Sequence, residues 1–316
     1  MIARLLRISF SSVAALVFGC ALAGAAATRA PAPPAHLRIM TTPIENGAQV
    51  FYAKDMGFFA KAGLDVDVQS VQSGSAIAPA IASNAADIGF SSLVPLAIAH
   101  TKNVPFVLVA PGAVWTQTAR NSALFVRLDS PIRTGKDLNG KTLSTAGLGT
   151  LTEYATRAWI DQHGGDLSTV KFVEMGYSTM SGRIDAALLN EPYLETAKKD
   201  HRLLGYPYDA VSKDFLIAGW FTASAWAKAN PDLVARFAAV MRETAVWANK
   251  KENQGKSAEI LEKYTKIDPA LLASMVRVRF GETLSPSAVQ PQIDVSAKYG
   301  SFASFPAKEI IYARSN

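Results

Sequence analysis

Residues 144–160 read STAGLGTLTEYATRAWI, and they carry a dense set of groups able to grip a ligand. Gly147 and Gly149 allow close backbone approach, Thr150 and Thr152 add hydroxyls, and the run that follows has helical character. A helix N-terminus presents free N–H groups and the positive end of a dipole, so a turn of this kind suits an anionic group. The same turn, with Glu174 ending the next strand, also resembles part of a dinucleotide fingerprint. Thr152 stands where that fingerprint needs its third glycine, which argues against a nicotinamide cofactor. An ordinary strand-to-helix turn capped by threonine is the plainer alternative.

Other reactive types are present without partners at working spacing. Ser91 and Ser92 sit in Gly89-Phe-Ser-Ser-Leu93, which lacks the second glycine of a nucleophile elbow. His36, His100, His163 and His201 stand far apart, with no metal-ligand spacing. His163, just before Gly164-Gly165, reads as a cation at a helix end. No acid, base and nucleophile assemble, so the expectation is a protein that is not an enzyme and needs neither metal nor other cofactor.

The elements that must position these groups follow from the ends and the composition. Arg4 and Arg7, the apolar run Ile8–Phe18 and Gly24-Ala25-Ala26-Ala27 make a secretory signal peptide over residues 1–27, so a periplasmic protein is expected. Ala25-x-Ala27 suits ordinary cleavage before Thr28. Cys20 is the alternative, a lipidated residue, although Phe18 fits that motif poorly. Cys20 is the single cysteine, so no disulfide forms within the chain and stability rests on a core. Removing residues 1–27 takes two arginines and no acid, lowering the net charge from +6 to +4. That excess is too small and too scattered to indicate nucleic acid. At 316 residues and 49% hydrophobic content, two lobes are expected.

After an Ala/Pro tether at residues 28–36, strand and helix signals alternate. Strands are predicted at 37–40, 64–68, 87–90 and 106–110, with helices at 46–55 and 75–83. Gly63 ends the first helical segment by taking positive φ. The pattern restarts after Asp137-Leu-Asn-Gly-Lys141, with strands at 142–145, 170–174 and 185–189 and a helix to Gln162. Such alternation argues for mostly parallel sheets covered by helices on both faces. Asn230-Pro231-Asp232 and Asp268-Pro269 are start signals for two later helices. Phe237, Val240, Met241, Thr244 and Trp247 recur at helical period and read as core.

Several segments occur in one recognisable order: Ala53-Lys-Asp-Met-Gly-Phe-Phe-Ala-Lys-Ala-Gly-Leu-Asp-Val66-Asp, Ala86-Asp-Ile-Gly89, Asp137-Leu-Asn-Gly-Lys-Thr142, Gly182-Arg-Ile-Asp-Ala186 and Asn190-Glu-Pro-Tyr193. In this the chain resembles the substrate-binding proteins of ABC importers, in the group that takes sulfonates, taurine, nitrate and thiamine pyrimidines. The resemblance covers residues 37 to about 250. It implies an α/β, type II periplasmic-binding-protein fold, with lobe one at 37–122 and 222–316 and lobe two at 123–221. Two hinge segments then cross between the lobes, and the ligand sits in the cleft at the carboxyl ends of the strands. The cleft residues expected on that basis are Glu45, Asn46, Ser91, Ser92 and Trp115, then Gly147, Gly149, Thr150 and Thr152, then Asn190, Glu191 and Trp220. Trp115 as sheet cover, Glu191 as a helix-start acid and Glu45 as a solvent-facing carboxylate stand as alternatives. The implied partners are a small-molecule ligand and an inner-membrane permease, with the binding protein a monomer. Between Glu174 and Gly182 only seven residues intervene where the family carries a longer stretch with a helix, a departure that bears on the cleft rim. Three other roles fit the fold less well. A pyrimidine-synthesising enzyme would need a cysteine-rich motif, and a regulator's effector domain would need a preceding DNA-binding segment. A ligand-presenting partner of a sensor differs from an importer only in what it contacts.

Overall fold

The computed structural model describes residues 33–72, 74–176, 184–300 and 302–313. The expected signal peptide, Cys20 and most of the short segment before Gly182 lie outside the described residues.

The chain begins regular structure at β1 (Ala35–Thr41), two residues earlier than its apolar pattern suggested. Short helices α1 (Gln49–Asp55) and α2 (Phe58–Lys61) lead to Gly63, whose φ of +67° breaks the helical path and starts β2 (Leu64–Ser70). There follow α3 (Ile77–Ala82), β3 (Ile88–Ser92), α4 (Leu93–Thr101) and β4 (Phe106–Pro111). β5 (Ala113–Thr116) crosses to a second unit of β6 (Ser122–Arg127), β7 (Thr142–Thr145), α5 (Leu151–Gln162) and β8 (Lys171–Glu174). That unit continues with β9 (Ala186–Asn190), α6 (Tyr193–Ala197) and β10 (His201–Gly205). The chain returns through β11 (Asp214–Leu216) and β12 (Ala218–Ala223) to α7 (Ser224–Ala229) and α8 (Pro231–Ala248). It closes with α9 (Gln254–Thr265), α10 (Pro269–Ser274), β13 (Arg279–Phe280) and α11 (Pro286–Gly300).

Two five-stranded sheets organise these elements, in the orders β2-β1-β3-β12-β4 and β10-β6-β9-β7-β8. In each, the strands joined by helices are parallel: β1 with β2 and β3, and β7 with β8 and β9. The antiparallel pairs involve strands that enter or return, namely β12 in the first sheet and β6 and β10 in the second. Each sheet is therefore mixed, because a strand arriving from the other unit enters without a helical crossover to reverse it. A third sheet, β11-β5-β13, spans the crossing, so the two connecting segments are themselves hydrogen-bonded to one another.

The start signals act where the sequence placed them. Pro231 is the first residue of α8, and Asp268 caps α10 by accepting from Ala270 N at 2.7 Å. On α8, Val234, Phe237, Val240, Met241 and Thr244 face the core, each apolar side chain contributing about 1.5–3 kcal/mol by leaving water. Among the described residues no helix is long and apolar enough to cross a membrane.

Candidate ligand-binding site

The carboxyl ends of β1, β3 and β9 converge on a small cavity, with the start of α5 on its far side. Thr42, Ile44 and Asn46 follow β1; Phe90, Ser91 and Ser92 finish β3; Asn190 finishes β9. Thr150, Leu151 and Thr152 bring the first turn of α5, and Tyr208, Ile217 and Ala218 supply the remaining wall. The space open to water centres is about 40 Å³, enough for roughly three waters at ~10–15 Å³ each. Among the described residues no lysine, arginine, histidine, aspartate or glutamate lines it.

Hydrogen bonds tie the two sides of this cavity together. The Leu151 amide at the start of α5 donates to Ser92 Oγ at 3.1 Å, and Asn121 Nδ2 donates to Asn46 Oδ1 at 2.6 Å. Away from the cavity, Asp161 on α5 accepts from Tyr299 Oη at 2.6 Å and Lys298 Nζ at 3.0 Å on α11. Against this background three polar atoms stand out. Thr42 Oγ1, Ser91 Oγ and Asn190 Oδ1 are buried without a hydrogen-bond partner, and all three residues line the cavity. A buried polar atom left unpaired costs about 1–3 kcal/mol, so three at one place mark where a ligand would supply the missing bonds. Tyr208, whose hydroxyl is pushed up to about 12 by burial, closes the wall beside Asn190 as a neutral phenol.

Of the residues expected in the cleft, Asn46, Ser91, Ser92, Thr150, Thr152 and Asn190 line the cavity and the other six do not. Trp115 is fully buried one layer behind, its Nε1 donating to Asp209 Oδ1 at 3.1 Å and its ring meeting Tyr208 edge-on. Trp220 is likewise buried, with Nε1 donating to Gln49 Oε1 at 2.8 Å and its ring 5.0 Å from that of Phe90. Both indoles satisfy their polar atom inside the protein, and neither lines the cavity.

Glu45 faces neither water nor the cavity. Its two oxygens accept from Arg277 Nε at 2.5 Å and Val278 N at 2.9 Å, pinning the segment after β1 to the strand-like run before β13. Burial pushes the Glu45 carboxyl above its ordinary value and Arg277 pulls it back. Burial lowers the guanidinium, but the charges and hydrogen bonds of Glu45 and Tyr52 together outweigh it and hold Arg277 above its ordinary value. The paired donors on both oxygens are those of an ionised bridge. Glu191 turns the same way: it accepts from Val276 N at 3.2 Å and Glu195 N at 3.3 Å, and burial pushes its carboxyl up to about 7.

The glycine turn departs furthest from expectation. Gly149 adopts a φ of +69°, as its residue type allows, but two amides of this turn are already occupied. Leu148 N donates to Glu174 Oε2 at 3.0 Å, and Gly149 N donates to Glu153 Oε2 at 2.8 Å. Gly147 packs against Thr150, whose hydroxyl donates to the Gly147 carbonyl at 2.6 Å. Leu148 and Gly149 border a separate, outward groove with α3 and α4. The turn is thus capped by the protein's own carboxylates, while Ala146 before it and Thr150, Leu151 and Thr152 after it reach the cavity. Thr42, Phe90 and Tyr208 were not singled out from sequence, whereas Ile44 falls in the strand-end segment 43–46 expected at the cleft. Thr42 lies one residue before the predicted strand-end segment, and Tyr208 sits in a stretch with no periodic signal.

The histidines do not gather. His36, His100 and His201 each pair with a nearby carboxylate, and His163 places Nδ1 2.7 Å from the Trp159 carbonyl at the end of α5. Among the described residues no group of His, Cys, Asp and Glu has metal-holding geometry.

Two mixed sheets, a hydrogen-bonded crossing and a cavity at the facing strand ends define the periplasmic-binding-protein class of fold. Solved structures share it. The periplasmic aliphatic sulphonate binding protein SsuA from Escherichia coli is similar at a TM-score of 0.69 and 16% identity, over 90% of this chain and 94% of that one. The periplasmic nitrate-binding protein NrtA from Synechocystis PCC 6803 gives 0.72 and 13%, over 87% and 84%. The desulfurization enzyme DSZB gives 0.65 and 15%, over 89% and 97%. At sequence level the chain belongs to the NMT1/THI5-like family, whose profile matches residues 45–254. No curated protein matches it by sequence.

Proposed function

We propose that this protein is the substrate-binding component of an ABC importer, capturing a small organic anion or heterocycle between two lobes and handing it to an inner-membrane permease. Residues 37–122 and 222–316 form one lobe and 123–221 the other. The exported chain works in the periplasm as a monomer, and the ligand's bonds are unchanged throughout. The observation that carries this reading is the set of three unpaired buried polar atoms, Thr42 Oγ1, Ser91 Oγ and Asn190 Oδ1, around one cavity at the strand ends. Bonds such as Ser92 to Leu151 and Asp161 to Tyr299 supply the contacts by which a closed form would differ from an open one. The family membership and the sulphonate- and nitrate-binding neighbours support the same role.

Calorimetric titration and thermal shift with sulfonates, carboxylates, nitrate and pyrimidines test it. A saturable ligand whose affinity falls in Ser91→Ala, with a smaller radius of gyration on binding, is the expected result. No binding across the panel removes the reading. A second reading, an enzyme on the same fold, draws on the likeness to DSZB. Among the described residues the cavity wall has no cysteine, histidine or carboxylate to serve as nucleophile or base, which favours binding alone. Turnover of any bound compound by the pure protein reverses that preference.

A further inference from the structure

The polarity of the unpaired atoms says more about the ligand than the fold does. Asn121 Nδ2 donates to Asn46 Oδ1 at 2.6 Å, which leaves Asn121 Oδ1 as an acceptor. Ser122 Oγ lies 3.5 Å from that oxygen, at the outer limit of a hydrogen bond. The Ser122 lone pairs accept from Asn190 Nδ2 at 2.6 Å. With Nδ2 committed to Ser122, the atom left unpaired on this cavity-lining residue is the carbonyl oxygen, an acceptor. An acceptor in that position calls for an N–H or O–H on the ligand. Thr42 and Ser91 present hydroxyls that can donate, and the first turn of α5 adds the positive end of a helix; both call for a carbonyl-type oxygen.

Charge decides between an anion and a neutral group. Among the described residues no cationic side chain lines the cavity, and the Leu148 and Gly149 amides of the nearby turn are taken by the carboxylates of Glu174 and Glu153. An anion enclosed there would lose its hydration without a counter-charge, whereas a neutral amide needs only its hydrogen bonds replaced. We infer that, within the binding role proposed above, the group this cavity receives is uncharged and carries both C=O and N–H: a carboxamide, urea or lactam. Its oxygen meets Thr42 and Ser91, and its N–H meets Asn190. At about 40 Å³ the cavity takes a group of about four heavy atoms.

Shape-matched pairs isolate the charge: urea against nitrate, and acetamide against acetate, titrated into extensively dialysed protein. Four heavy atoms support a Kd of about 40 μM at best, so titrations must reach millimolar concentrations. The expected result is that each neutral member binds at least about tenfold tighter than its anion. Thr42→Val, which keeps the shape and removes the hydroxyl, should weaken that binding about two- to twelvefold without lowering the melting temperature. An anion that binds as well as or better than its neutral partner overturns the inference, and so does silence from both pairs. If a larger anion from the wider panel binds and loses affinity in Ser91→Ala, the capture role stands and this inference alone falls. Unchanged affinity in Thr42→Val also refutes it.

Discussion

Glu191 sits beside the cavity-lining Asn190 and is 1% exposed, yet it holds a carboxyl raised to about 7 by burial. Two backbone donors, Val276 N and Glu195 N, pull the value down without restoring it. Because the folded state holds the proton more tightly than the unfolded chain, its contribution to stability is complete below about 4.5 and is lost as pH rises through about 7. Integrating that difference from pH 5 to pH 8 gives a loss of about 2.5 kcal/mol. At an m-value of about 3 kcal/mol/M the loss is a urea midpoint shift of roughly 0.8 M. Glu191→Gln removes the titration while keeping the side chain's size. It costs one hydrogen bond, because its amide NH2 must face one of the two backbone donors. Unfolding the wild type and the variant in urea across this range should therefore show the wild type losing about 2.5 kcal/mol more than the variant. Glu45 and every other titrating group cancel in the difference. Parallel pH profiles for the two proteins would refute the assignment of a proton to Glu191.

The buried bridge gives a second test. Arg277→Met strands the Glu45 carboxylate, which should cost about 3–5 kcal/mol near neutral pH and less in acid, where Glu45 takes a proton; a loss below 1 kcal/mol in urea unfolding contradicts the bridge. The tryptophans give a third. Trp220→Phe leaves the buried Gln49 Oε1 without its donor and should cost about 1–3 kcal/mol of stability, and Trp115→Phe, whose partner Asp209 is half-buried and keeps Arg120, about 0.5–1.5 kcal/mol. Both should leave the affinity for the titrated ligand within about twofold, and a tenfold loss at unchanged stability would place an indole against the ligand.

What the sequence disclosed and what it hid divide along one physical line. Periodicity and start signals act over a few residues, so the two alternating α/β units, the start of α8 at Pro231 and the positive φ of Gly63 were all legible. Strand ends were legible too, which is why Ser91, Ser92 and Asn190 lie at the cavity. The direction in which a strand-end side chain points was not, because it depends on partners distant in the chain. Trp220 finds Gln49, 171 residues away, and Glu45 finds Arg277, 232 residues away. The glycine turn teaches the same lesson in reverse. Its backbone has the conformation of an anion cradle, but Glu153 one helical turn on and Glu174 at the end of β8 neutralise it from within. A run of glycines and threonines before a helix therefore reports the ability to hold a negative group, and the nearest carboxylates decide whether that group is a ligand or the protein itself. In this chain they are the protein itself, so selectivity passes to the hydroxyls of Thr42 and Ser91 and the amide of Asn190, whose demands a full charge does not meet.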